Sequence, residues 1–267
     1  MNAFENDKDV LEMVEEALDE NRVKVYYQPL FNKDCEIVGV EALCRIENEF
    51  GEIIMPGDFI PELERQEDPE YIRNFDWFII SRVCRFLRRL RAGGMDLIPI
   101  SVNMSRRHLV NEPVELYLSN MTGLMEIPHK FLDVEITESA SEDDPMELQR
   151  LIYRLRTQGF TVAIDDFGMG KSDFQFMVNN KADVIKLDKS FISHGCENER
   201  EREVVAAIIE LAHKLHFIVV AEGVELATQW EFLTKNGCDV MQGNFVAEPM
   251  TEQQFIEMYR SVLEFKR

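Results

Sequence analysis

Short apolar segments that each end in an ionisable or strongly polar residue constrain this chain more than any other feature. Five carry the pattern: Pro99-Ile100-Ser101-Val102-Asn103, Leu132-Asp133-Val134-Glu135, Val162-Ala163-Ile164-Asp165-Asp166, Val184-Ile185-Lys186 and Val219-Val220-Ala221-Glu222. Filling a core requires only apolar side chains, so folding alone gives no reason for such a residue at each tip. A series of them on successive strands points to side chains converging above one end of a barrel, where that architecture keeps its chemistry.

The rest of the chain has the matching rhythm. Strands are expected near 23–28, 37–46, 97–103, 131–137, 160–165, 184–187, 216–221 and 239–242, which is the number a closed barrel needs. A helix over 6–20 carries an apolar stripe of Val10, Leu11, Val14 and Leu18. Amphipathic helices follow near 71–92, 143–157, 198–214, 225–235 and 252–264, an alternation that favours a mostly parallel sheet. Only the stretch from Pro29 to Ile37 separates the first two strands, too short for a helical crossover, so these two pair as a hairpin. The fold expected is α/β: a TIM-like (β/α)8 barrel with one antiparallel strand. It forms a single domain over 1–267, with the N-terminal helix at about 6–20 and the barrel at about 22–265.

Charge narrows the function classes. The formal net charge of −21 opposes binding to polymeric nucleic acid or anionic membrane, because the long-range field repels phosphate. A phosphate-bearing ligand would need a local reversal of sign, which bound cations provide most simply. Arg82, Arg85, Arg89 and Arg91 on the long helix read as a solvated outer face paired with acids rather than a nucleic-acid patch. Five scattered cysteines without a C-x-x-C pair suggest a reducing compartment. No apolar run approaches a membrane span and the first residues lack signal-peptide character. A cytoplasmic location is expected, for the chain itself or as part of something longer.

Strand alternation places Glu41, Leu43 and Arg45 on one inward face, where an acid and a base require a partner or a ligand. A buried Glu41–Arg45 ion pair and a ligand site explain that segment equally well. Asn103 ends the next inner strand, and Glu135 and Glu138 flank a strand-to-loop junction, one suited to a metal and the other to bracing backbone. Adjacent Asp165 and Asp166 both stay ionised only where cations or donors compensate them. Glu, Asn, Glu and Asp form a hard all-oxygen set that suits Mg²⁺ or Mn²⁺ rather than zinc. A second ion beside Asp166 would complete a two-metal clamp for displacement at phosphorus. Lys186 at its strand end can orient water or stabilise developing charge, and Glu222 is a candidate general base or further ligand. Glu225 reads as the start of a helix, where the dipole favours an acid.

Taken in order, these residues resemble the EAL-domain cyclic di-GMP phosphodiesterases over nearly the whole chain. The matching segments are Tyr27-Gln28-Pro29, Glu41-Ala42-Leu43 with Arg45, Asn103-Met104-Ser105, Glu135-Ile136-Thr137-Glu138, Asp165-Asp166-Phe167-Gly168, Lys186-Leu187-Asp188, Glu222-Gly223-Val224-Glu225 and Gln242-Gly243. The resemblance implies that Glu41, Asn103, Glu135 and Asp165 hold one metal ion and Asp166 a second. Lys186 and Glu222 would serve the attacking water, and Glu138 would anchor the loop after Asp166. Gln28, Leu43, Arg45 and Gln242 would contact the dinucleotide. It further implies hydrolysis of cyclic di-GMP to linear 5′-pGpG, two Mg²⁺ or Mn²⁺ ions per site, and a homodimer.

Two segments depart from the family pattern. Met169, Lys171 and Asp173 replace the usual Thr, Tyr and Ser of the loop after Asp166, and Glu248 stands where an Arg precedes Pro249. The loop change supports an alternative reading as a receptor that binds cyclic di-GMP with weak or no turnover. An enolase-type barrel also gathers acids and a lysine around Mg²⁺, but it offers no place for Asn103 or for the Glu41–Arg45 face.

Overall fold

A computed structural model describes residues 7–109, 113–137, 140, 144–168, 174–195 and 198–265. The strands are β1 (Val23–Asn32), β2 (Ile37–Glu47), β3 (Ile53–Ile54), β4 (Ile100–Asn103), β5 (Leu132–Thr137), β6 (Thr161–Phe167), β7 (Val184–Leu187), β8 (Ile218–Ala221), β9 (Val240–Met241) and β10 (Met250–Thr251). Eight of them close a ring in the order β1-β2-β4-β5-β6-β7-β8-β9, with β9 returning to β1. β1 runs antiparallel to both of its neighbours, and every other pairing in the ring is parallel. The short β3 and β10 extend the outer edges of β2 and β1. This is the expected barrel with one inverted strand.

Boundaries moved for local reasons. β4 begins at Ile100, because Pro99 has no N–H to donate to a ladder, although its carbonyl accepts from Val40. The helices are α1 (Asp7–Asp19), α2 (Ile60–Arg65), α3 (Glu70–Ala92), α4 (Val114–Leu124), α5 (Pro145–Gln158), α6 (Phe174–Asn179), α7 (Lys189–Gly195), α8 (Glu199–Lys214), α9 (Ala227–Lys235) and α10 (Glu252–Phe265). The pattern reading omits α4. Its buried side chains are Val114, Leu118 and Thr122, whereas Leu116, Tyr117 and Leu124 face solvent, so its apolar residues do not form one stripe. By contrast α5 is marked at both ends. Asp144 accepts from the backbone N–H groups of Met146 and Glu147, Pro145 opens the helix, and Gly159 closes it at φ +91°.

The main core lies between the barrel wall and its helices, with Ile80, Cys84, Leu87 and Leu90 of α3 all fully buried. A second apolar cluster joins Val10, Val14 and Ala17 of α1 to Val23, Ile46, Phe59, Leu63 and Phe75. The α3 arginines meet local partners: Arg89 pairs with Glu252, Arg91 donates to the Glu126 carbonyl and Arg82 to the Asn21 side chain. Cys84 and Cys238 are buried free thiols, and burial pushes both up to about 12. No helix among the described residues is long and apolar enough to cross a membrane.

Candidate active site

The parallel strands deliver their tips to one point. Lys186 of β7 is 1% exposed, and its ammonium lies 2.6 Å from Glu222 just beyond β8 and 2.8 Å from Glu135 of β5. It also lies 3.3 Å from Glu41 of β2 and 3.4 Å from Asp165 of β6. One buried cation is therefore shared by carboxylates from four strands, Glu41 from the middle of β2 and the others from near strand ends. Inward alternation on each strand and the aligned parallel register bring these side chains level.

A chain of amides closes the other side of the ring. Asn103 donates to Glu41 Oε1 at 3.2 Å, and Gln242, just after β9, donates to Glu41 Oε2 at 2.6 Å. The same Gln242 nitrogen reaches Gln28 Oε1 at 2.9 Å, while Gln28 donates to the Ala247 carbonyl. The buried Gln242 Oε1 has no partner, an acceptor left for a ligand or water.

Asp165 and Asp166 owe their placement to a register break. β6 pairs with β7 through Ile164 opposite Ile185 and resumes at Phe167 opposite Leu187, so β6 carries one extra residue. Such a bulge re-aims side chains at a strand end. Asp166 adopts φ +55°, and its N–H donates to Asp165 Oδ1. Gly168 must follow without a side chain, since a Cβ there would lie 2.0 Å from the Phe191 ring.

The single Lys186 ammonium leaves the site short of positive charge against four carboxylates. Burial, followed by the charges of Glu41 and Asp165, pushes Glu135 well above the usual carboxylate range despite Lys186. Glu222 is pushed up to about 8 by burial and by Asp165 and Glu41, and Asp166 to about 6 by burial and by Asp165 and Asp188. Burial alone would lower Lys186, but the surrounding carboxylates outweigh it and hold its proton firmly. A hard divalent cation fits this donor set on charge and ligand type. Among the described residues no three acid, histidine or cysteine side chains form a metal cage, the Lys186 ammonium lying among the carboxylates.

Two cavities flank the cluster. One of about 270 Å³ opens over Gln28, Glu41, Asp165, Glu222 and Gln242. The other, about 330 Å³, is mostly apolar and lies between β2, β4 and the α2–α3 pair. Leu43 borders both.

The structure thus gathers Gln28, Glu41, Leu43, Asn103, Glu135, Asp165, Lys186, Glu222 and Gln242, with Asp166 beside them. Arg45 is turned back on its own backbone, donating to the Cys44 carbonyl at 2.6 Å, and Glu41 takes Lys186 as its cation instead. Glu225 precedes α9 rather than starting it, and its carboxylate pairs with Lys189. Glu138, Met169, Lys171 and Asp173 lie outside the described residues. Sequence reasoning missed Lys189, which borders the polar cavity; it follows Asp188 in a polar stretch with no strand periodicity to mark it.

A family profile described as EAL domain matches residues 11–249. The cyclic di-GMP phosphodiesterase NbdA of Pseudomonas aeruginosa is 33% identical over 258 residues, covering 93% of this chain and 32% of its own length. The cyclic di-GMP phosphodiesterase PdeR of Escherichia coli is 32% identical over 249 residues, covering 93% of this chain and 37% of its own length. The chain therefore spans about a third of the length of either relative. The solved PaMucR phosphodiesterase in complex with c-di-GMP is 29% identical, with a TM-score of 0.85, covering 92% of this chain and 99% of that one.

Proposed function

Because the chain belongs to the EAL domain family, we propose that it hydrolyses one phosphodiester of cyclic di-GMP to give linear 5′-pGpG. The observation that carries this reading is the ring of Glu41, Glu135, Asp165 and Glu222 around buried Lys186, short of positive charge and bordered by an apolar cavity. With divalent ions bound among the carboxylates, an anionic dinucleotide would match both parts: phosphates for the cation-loaded end and flat bases for the apolar one.

Glu41, Asn103, Glu135 and Asp165 would hold one divalent ion and Asp166 a second, as Mg²⁺ or Mn²⁺. Bound there, the ions would offset carboxylate charge, polarise the phosphoryl oxygens and acidify water. Glu222, at the edge of the cluster, would take the proton of the attacking water once that charge is offset. Lys186, 2.6 Å from Glu222, orients that water and steadies the charge that develops at phosphorus. The water oxygen bonds to phosphorus, the bond to the 3′ oxygen breaks, and that oxygen leaves with a proton from solvent. Gln242, bonded to Gln28, braces Glu41, both amides would face the dinucleotide, and Leu43 borders both cavities. Arg45 would have to swing from the Cys44 carbonyl to reach a phosphate. Glu138 is assigned the role of anchoring the loop after Asp166.

The test is incubation with cyclic di-GMP and Mg²⁺ or Mn²⁺, following 5′-pGpG by chromatography with Glu41→Ala as control. Product that is lost in the control supports the enzyme. Tight binding without product would replace it by a receptor, the reading that Met169, Lys171 and Asp173 favour. Neither binding nor product would remove both. By the same resemblance we assign residues 1–267 to one domain, acting in the cytoplasm as a homodimer, and sedimentation at micromolar protein checks the dimer.

A further inference from the structure

The polar cavity has a cation at its mouth that the hydrolytic reading leaves unused. Lys189, the first residue of α7, borders it together with Gln28, Glu41, Asp165, Glu222 and Gln242. Unlike Lys186, it is open to solvent, with 59% of its side chain exposed.

Its position is built rather than incidental. The stem of Lys189 crosses the backbone at Gly223, where an added Cβ would lie 2.3 Å from Lys189 Cγ and 2.5 Å from Lys189 Cβ. Gly223 also has φ +62°, so the loop after Glu222 both turns and leaves room for that stem. The ammonium then meets Glu225 Oε1 at 2.5 Å, on the same loop. Glu225 is 48% exposed, so this ion pair is solvated and readily exchanged for another anion.

A cyclic dinucleotide carries two phosphodiesters, and the carboxylate cluster can process one at a time. The other must lie elsewhere on a chain of net charge −21, where a cation at its landing point lowers the repulsion. On this basis, and resting on the function proposed above, we propose that Lys189 forms a subsite for the second, uncleaved phosphodiester. Glu225 is the internal anion that the phosphate displaces. The subsite favours two-phosphate ligands over single phosphodiesters, because it contributes only when a second anion reaches the mouth.

The test compares the intact chain with Lys189→Ala and Glu225→Gln, using cyclic di-GMP and the one-phosphate substrate bis(4-nitrophenyl) phosphate. Lys189→Ala is expected to raise KM for cyclic di-GMP about tenfold, the effect of one charge-assisted hydrogen bond, with a several-fold smaller effect on the one-phosphate substrate. Glu225→Gln, which frees the ammonium, is expected to lower that KM about twofold. If the chain binds without turnover, the same ratios are read as Kd by calorimetry. Equal losses on both substrates, or weaker binding in both variants, would overturn the subsite. Product formation with an unaltered KM in Lys189→Ala would remove the subsite and leave the hydrolase standing. No binding of cyclic di-GMP by the intact chain would remove both.

Discussion

The two ends of the barrel treat their carboxylates in opposite ways. At the end where the parallel strands begin, Asp183 accepts the Val162 N–H of the neighbouring strand and pairs with Arg156 at 2.8 Å. Asp239 repeats the arrangement two strands on, accepting the Val219 N–H and pairing with His213 at 2.8 Å. Each acid has a backbone donor and a cation-capable partner of its own. At the end where the strands finish, four acids share Lys186, and burial together with neighbouring carboxylate charge pushes Glu135 and Glu222 up. Register pins are electrostatically closed, whereas the tip cluster is left open to a further cation, and that openness distinguishes a site from a joint.

The comparison breaks most sharply at Lys186. Lys186→Met should lower turnover about a thousandfold, measured as 5′-pGpG release. Removing the cluster's buried cation should also cost about 3 kcal/mol of folding stability in chelator, with part of the loss restored by Mn²⁺ in denaturant melts. At the opposite end, Asp239→Ala orphans the Val219 N–H, so a loss of about 1–2 kcal/mol is expected. Turnover in that variant should stay within about twofold of the parent, and a large catalytic loss would erase the division between the ends.

Asp133 gives a finer test through pH. Burial raises it from 3.8 to about 6, and its Oδ1 has no partner. The folded chain therefore holds a proton that the unfolded chain releases, and stability falls as pH rises from 3.8 to about 6. Asp133→Asn should remove that loss, gaining up to about 3 kcal/mol at pH 7 and nothing at the acid end of the window, as read from melts at both pH values. The smallest effect is expected at exposed Glu248, where Glu248→Arg should tighten cyclic di-GMP binding about twofold by calorimetry.

Much of this was legible in the sequence because strands announce themselves by what they end in. The eight barrel strands, one inverted strand within the first hairpin, and the gathering of Glu41, Asn103, Glu135, Asp165, Lys186 and Glu222 follow from apolar runs, strand alternation, polar tips and one short connection. That the inverted strand is β1 is read only from the pairing. What could not be read depends on the third dimension. The extra residue of β6 that re-aims Asp165 and Asp166 leaves no compositional mark. Arg45 shares a face with Glu41, yet its guanidinium finds the Cys44 carbonyl first. The Gln28–Gln242 contact joins the first and last strands of the ring, a proximity that exists only once the barrel closes. Helix α4 escaped because half of its apolar residues are exposed.

The inverted strand β1 has a mechanical consequence. Since β1 runs against the others, it starts where they finish, and α1 arrives at the end that holds the chemistry. There α1 packs in one cluster with Ile72, Phe75 and Ile79, and those three side chains also form a wall of the apolar cavity beside Leu43. A push or twist on the first helix is thus passed through that shared cluster to the wall of the apolar cavity, which places the lever arm for any mechanical input at the mouth of the barrel and not at its base.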